Sequence, residues 1–190
     1  LSSEAEKTQS VNTITFNNGN LVGHNTDIVG FERAIKNLNF NIKGKKVLIL
    51  GAGGVVPSII FALKKIGVLN ITISNRTRQK AENLKAQFNK LVVLEWGSLT
   101  DVDVIINATS LGLKDETINI DFSKIGKNKL FFDVIYNPVE TNFLKKGKDT
   151  GNISENGKLM FFYQACEAFK LWHGIEPEIN SDTFKLLDDD

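Results

Sequence analysis

The stretch KVLILGAGGVV, Lys46 to Val56, decides the fold. Val47 to Leu50 is an unbroken apolar run, as expected of a strand buried on both faces, and Gly51 to Gly54 supplies a turn before a helical pattern sets in at Val55. Strand, glycine turn and helix in that order make half of a βαβ unit. Glycines at such a turn let the backbone take positive φ and approach a diphosphate closely, while the helix start adds unpaired N–H groups and a partial positive charge. A tight turn with no cofactor is the plainer alternative, because Val56 stands where the usual dinucleotide fingerprint has its third glycine.

The alternation continues outward from this unit. Gly67 ends the helix that begins at Val55, Asn70 to Ser74 reads as a second, β-branched strand, and Thr77 to Asn89 as a charged helix with Ala81, Leu84 and Phe88 inward. Short strands follow at Leu91 to Leu94, Val102 to Ile106 and Leu130 to Ile135. The pattern predicts an α/β, Rossmann-type, doubly wound parallel sheet. Upstream, Val11 to Phe16 and Leu21 to Asn25 flank the turn residues at positions 17–20, a hairpin signal, and Asp27 stands at or near the start of a helix whose apolar face is Ile28, Phe31, Ala34, Ile35 and Leu38. After Pro138 the strand pattern stops and helical segments are expected at Glu140 to Lys146, Lys158 to Trp172 and Ser181 to Leu187.

The tip of the second strand speaks to cofactor choice. Ser74, Asn75, Arg76 and Thr77 occupy the place where an NAD-preferring site sets an Asp or Glu against the ribose 2′-hydroxyl. With no carboxylate there, the Arg76 guanidinium can pair with a 2′-phosphate and lie against adenine, while Asn75 and Thr77 add hydrogen bonds, so NADP is the expected cofactor. The alternative makes Arg76 a surface cation and Thr77 a helix N-cap.

Composition excludes several classes. The 190 residues carry 23 basic and 22 acidic side chains, a net charge of +1, which leaves no field to hold nucleic acid or an anionic membrane. No apolar run reaches the length of a membrane span. One cysteine, Cys166, excludes an internal disulfide and fits a cytoplasmic protein; on an apolar helical face it reads as core. His24 and His173 lack partners at ligand spacing, so no metal is expected. Trp96 and Trp172 read as buried aromatics. The polar segment from Leu1 to Ser10 begins without Met, and the protein is expected to start further upstream.

Several ordered motifs share these features: VNT at Val11 to Thr13, NTD at Asn25 to Asp27, GAGG at Gly51 to Gly54, NRT followed by Lys80 and Ala81, NATSLG at Asn107 to Gly112, DVIYNP at Asp133 to Pro138 and YQACEAF at Tyr163 to Phe169. In order and spacing the chain resembles the shikimate dehydrogenases over nearly its whole length. That resemblance implies NADPH-dependent reduction of 3-dehydroshikimate to shikimate, on the route to chorismate and aromatic amino acids. The alternatives are a quinate/shikimate dehydrogenase of broader specificity and a dinucleotide-binding module without turnover.

The resemblance also implies site roles and a division of the chain. Residues 1–40 would form part of a substrate-binding domain, 41–138 the NADP-binding domain, and 139–190 helices that pack back towards the first. Asn12, Asp27, Tyr136 and Gln164 would contact substrate, with Asp27 catalytic and, at a helix N-terminus, kept ionised. Three of them have a plainer job: Asp27 as a helix cap, Gln164 as a structural hydrogen bonder, Tyr136 as a half-buried aromatic. The cofactor would meet Gly51, Ala52, Gly53, Gly54 and Val55 at the turn and Asn75, Arg76 and Thr77 at the second strand. Asn107, Thr109, Ser110 and Leu111, then Ile135, Gly157 and Met160, would line its other half. Two departures stand out. Leu159 occupies a position usually held by glycine, and the family's catalytic lysine, with hydroxyl ligands of the substrate carboxylate, would lie upstream of Leu1. The 190 residues alone are therefore expected to be weakly active or inactive. Oligomeric state is left open, a homodimer included.

Overall fold

Residues 1–17, 19–114, 116–180 and 183 are described by the computed structural model. Ser2 accepts a hydrogen bond from the Ala5 amide and so caps a short helix, α1 (Ser3–Thr8), in a stretch whose polarity showed no helical pattern. The expected hairpin follows as β1 (Thr13–Asn17) and β2 (Asn20–His24), antiparallel, with Thr13 opposite His24 and Asn17 opposite Asn20. Helix α2 (Asp27–Asn37) buries Ile28, Phe31, Ala34 and Ile35, four of the five residues on its predicted face.

The α/β alternation then runs through β3 (Lys46–Leu50), α3 (Val56–Ile66), β4 (Asn70–Ser74), α4 (Arg78–Gln87), β5 (Leu91–Leu94), β6 (Val104–Asn107) and β7 (Leu130–Asp133). It ends with α5 (Asn142–Asp149), β8 (Ile153–Glu155) and α6 (Lys158–His173). The six strands order as β5-β4-β3-β6-β7-β8, every neighbouring pair parallel. Strand order reverses between β3 and β6, which opens a crevice at their carboxyl ends.

One expectation needs correction. The sheet does not stop at Pro138, because β8 pairs with β7, Leu130 opposite Ile153. Its sequence, Ile-Ser-Glu, sits at the edge and lacks the apolar run of an inner strand. The connection from β6 to β7 turns Ile118, Ile120, Phe122 and Ile125 inward to cover the sheet. The helix expected at Ser181 to Leu187 lies outside the described residues except for Thr183. No helix among the described residues is long and apolar enough to cross a membrane.

Side chains alternate across β3 as the pleat requires. Val47 and Ile49 join Ile59 and Leu63 of α3 and Phe31 of α2 on one face. Leu48 and Leu50 join Phe122 of the loop and Phe143 of α5 on the other. Each such burial contributes roughly 1.5 to 3 kcal/mol. Phe31 meets Phe132 of β7 edge-on, centroids 5.4 Å apart, and this fixes α2 against the sheet.

Helix α6 crosses α2 at very short range. A Cβ on Gly30 would lie 2.6 Å from the Met160 carbonyl oxygen and 2.8 Å from Gln164 Cβ, so only glycine permits the approach. The residue before α6 is equally constrained: a Cβ on Gly157 would overlap the Val134 carbonyl.

Candidate active site

The turn between β2 and α2 gathers three of the four expected substrate residues. Asn12 Nδ2 donates to Asp27 Oδ1 at 2.9 Å, while Asn12 Oδ1 accepts from the Thr26 amide at 2.9 Å. The Thr26 hydroxyl lies 3.2 Å from Gln164 Oε1, drawing α6 into the cluster across 138 residues of sequence. Asn25, buried beneath, accepts from the Asp27 amide at 3.2 Å and donates to Ser58 Oγ at 2.8 Å. The base of the cluster is therefore fastened to α3, the helix that follows the glycine turn.

Asp27 does not cap α2. Thr26 takes the N-cap position without a side-chain cap bond, and the Asp27 carboxylate turns to Asn12. Burial pushes the Asp27 carboxyl above its ordinary value, and the hydrogen bond from Asn12 only partly offsets this. Desolvation outweighs that hydrogen bond, so the group holds its proton more tightly than an ordinary aspartate and is the better proton acceptor for it. Gln164 bonds a side chain rather than backbone, and its Nε2 has no partner among the described residues.

Beside this cluster the glycine turn borders a crevice of about 600 Å³. Gly51 adopts φ +114°, and a Cβ there would stand 2.6 Å from the Ala108 carbonyl oxygen. Gly54, by contrast, has nothing within 4 Å of such a Cβ, and Gly53 only the Ala108 oxygen at 4.0 Å. Among the described residues the amides of Gly53, Gly54 and Val55 donate to no protein acceptor. Open space over two glycines and unspent amides at a helix start fit a diphosphate. Ala52 packs against the core beneath.

The crevice's far wall is Thr109, Ser110, Ile135 and Tyr136. Tyr136 stacks on Phe161 of α6, centroids 4.6 Å apart and rings 24° from parallel, so one helix carries both its support and Gln164. Asn107 is fully buried and builds the loop from within: its Nδ2 donates to the Leu111 carbonyl and to Asp133 Oδ1, and its Oδ1 accepts from the Thr109 amide and hydroxyl. Asp133, also fully buried, accepts from the Ile135 amide at 3.0 Å and the Thr141 hydroxyl at 2.6 Å. Burial raises its carboxyl above the ordinary value against the pull of these three bonds. Gly157 donates its amide to the Ile135 carbonyl, Leu159 packs against the core, and the Met160 side chain is buried there.

At the tip of β4, Arg76 is exposed and its guanidinium makes no hydrogen bond or ion pair with a described residue. Arg78 is committed to Glu82 and Glu95. Asn75 Nδ2 donates to the Thr77 carbonyl, and Thr77 holds the N-cap position of α4 without a capping bond. The one uncommitted guanidinium of this strand end is thus the residue singled out for a 2′-phosphate, and the donor set fits NADP.

The remaining single residues divide. Cys166 is buried. Trp172 is 59% exposed, not buried, and donates its indole N–H to the Ile14 carbonyl at 3.0 Å, joining α6 to the hairpin. No group of three metal-ligating side chains occurs among the described residues. Thr26, Asn25, Asp133 and Thr141 are the residues that sequence reasoning did not single out. Three of them lie inside or beside quoted motifs, but only their burial shows what they hold.

Comparison with known proteins bears on the whole site. Residues 32–141 match the family model described as shikimate / quinate 5-dehydrogenase. The chain is 56% identical over 189 residues to the shikimate dehydrogenase (NADP(+)) of Pelagibacter ubique strain HTCC1062, covering 99% of this chain and 71% of that protein. It is similar to the crystal structure of shikimate 5-dehydrogenase from Thermus thermophilus in complex with NADP(H) and shikimate, with TM-score 0.87 and 31% identity over 98% of this chain and 70% of that one. The quinate dehydrogenase of Corynebacterium glutamicum in complex with NAD is similar at TM-score 0.88 and 29% identity, covering 98% of this chain and 70% of that one.

Proposed function

Because the chain belongs to the shikimate / quinate 5-dehydrogenase family, we propose that it serves the NADP-dependent interconversion of 3-dehydroshikimate and shikimate. The observation that carries the proposal is adjacency: Asn12, Asp27 and Gln164 gather at the start of α2, and Asn25 ties that start to the helix behind the glycine turn.

The bound nicotinamide supplies or removes a hydride at the ring carbon. The protein does the rest. The amides of Gly53, Gly54 and Val55 face the diphosphate, and Arg76, with Asn75 and Thr77, receives the extra phosphate. Thr109, Ser110, Leu111, Ile135, Tyr136 and Gly157 shape the nicotinamide end, with Asn107 and Met160 supporting it from within. Asn12 and Gln164 hold ring oxygens. Asp27, raised by burial, orients the reacting hydroxyl and exchanges its proton. The division of labour proposed is cofactor on the sheet domain, 41–138 with the edge strand β8, and substrate on 1–40 together with α6. A cytoplasmic setting belongs to the same proposal, supported by the lone, buried cysteine.

Calorimetric titration of the purified chain with NADPH and NADH tests the cofactor half, and NADPH consumption with 3-dehydroshikimate tests the reaction. Indifference to both dinucleotides would sink the proposal. The likeness to a quinate dehydrogenase makes quinate the comparison substrate: oxidation of quinate as fast as of shikimate would replace the narrow reading by the broad one.

A further inference from the structure

Thr26 is 1% exposed and stands between the two amide side chains of the cluster. Its backbone N–H, which can only donate, lies 2.9 Å from one end of Asn12, so that end is the oxygen. The Thr13 hydroxyl donates to the same oxygen at 3.1 Å, filling its second lone pair. The Thr26 hydroxyl has a single hydrogen. With Asn12 Oδ1 already served twice, that hydrogen belongs to Gln164 Oε1, which is equally near at 3.2 Å. Both amides thus turn their oxygens towards Thr26. Among the described residues their nitrogens are left for other partners: Asn12 Nδ2 gives one N–H to Asp27 and keeps one, and Gln164 Nε2 keeps both.

We propose that Thr26 is a positioning residue that sets the polarity of the substrate subsite, holding Asn12 and Gln164 so that two amide donors stand beside the Asp27 carboxylate. The subsite then selects a ring with two oxygens that accept from the amides and a hydroxyl that donates to the carboxylate. Reversal of either amide would set an acceptor against a ligand oxygen, and reversal of Asn12 would also leave the buried Thr26 N–H facing a donor. The inference rests on the reading that this cluster receives substrate, and it deepens that reading by naming what fixes the donor pattern.

Thr26→Val keeps the shape and removes the hydroxyl; Thr26→Ser keeps the hydroxyl. In the ligand-free protein, the side-chain amide NMR signals of Gln164 are expected to move in Thr26→Val and to stay in place in Thr26→Ser. In the presence of NADP⁺, shikimate affinity is expected to fall by about tenfold in Thr26→Val and by less than about twofold in Thr26→Ser, the scale of one hydrogen bond in a partly buried site, with NADP⁺ affinity unchanged in both. Gln164→Glu, which leaves Thr26 intact and replaces the donor by an acceptor, should lose at least as much. Unmoved Gln164 signals in Thr26→Val overturn the proposal, as does wild-type shikimate affinity in Gln164→Glu. Failure of the unsubstituted protein to bind shikimate removes the functional reading and the substrate clause with it, while the amide signals still decide whether Thr26 holds Gln164.

Discussion

Asn107 and Asp133 face one another across neighbouring parallel strands, amide nitrogen 2.9 Å from carboxylate oxygen, and neither exposes any surface. Among the described residues the carboxylate receives three hydrogen bonds and no cation. A carboxyl whose value is raised by folding binds its proton more tightly in the folded chain, so its contribution to stability is greatest at acid pH. That contribution declines as pH climbs from the ordinary aspartate value through the raised one. The melting temperature of the wild type relative to Asp133→Asn should therefore fall across that window and level off above it. A difference that grows with pH would contradict this account.

Removing the other partner has a different signature. Asn107→Ala strips the Asp133 carboxylate of a donor and frees the Thr109 amide and hydroxyl in one step. The cost to stability should be about 1 to 3 kcal/mol by denaturant titration, with NADPH affinity reduced because the loop Thr109 to Leu111 loses its internal brace.

Arg76→Ala should weaken NADPH binding by about 1.5 to 3 kcal/mol, the range for a hydrogen bond to a charged group, and leave NADH binding nearly unchanged. The guanidinium makes no hydrogen bond or ion pair with a described residue, so melting temperature should not move. Equal losses for the two dinucleotides would remove the assignment of the 2′-phosphate to this residue.

Asp27→Asn separates chemistry from capping. The carboxylate bonds Asn12 and does not cap α2, so folding stability should change little while kcat/KM falls by about a hundredfold or more, as for loss of a general acid–base group. Unchanged turnover with a collapsed melting temperature would return Asp27 to a structural role.

Gly157→Ala tests the join between sheet and α6. The added methyl would overlap the Val134 carbonyl, part of the backbone of the crevice wall. A loss of at least about 2 kcal/mol is expected, together with weaker cofactor binding, because α6 must shift to relieve the overlap. Full stability in this variant would show that the close approach is dispensable.

The central sheet was legible in the chain because its inner strands are buried on both faces and read as unbroken apolar runs, β3 most plainly. Edge strand β8 was not, since a short strand of Ile, Ser and Glu carries no such run, and α1 was hidden by its brevity and polarity. Likeness to a family pointed to Asn12, Asp27 and Gln164, but periodicity could not bring them together. Their meeting depends on α2 and α6 crossing at Gly30, a contact between distant parts of the chain. Asp133 and Thr26 lay within motifs already singled out. An aspartate at a strand end and a threonine before a helix have ordinary explanations, however, and only their exclusion from water marks them as braces.

The crossing of α2 by α6 has a consequence for biosynthesis. Gln164 emerges from the ribosome long after Asn12 and Asp27, and it reaches them only once the last parallel strand has been added and the chain has turned back at Gly157. A nascent chain that already presents its glycine turn is still unable to assemble the polar cluster. The glycine turn is therefore synthesised well before the last member of the polar cluster.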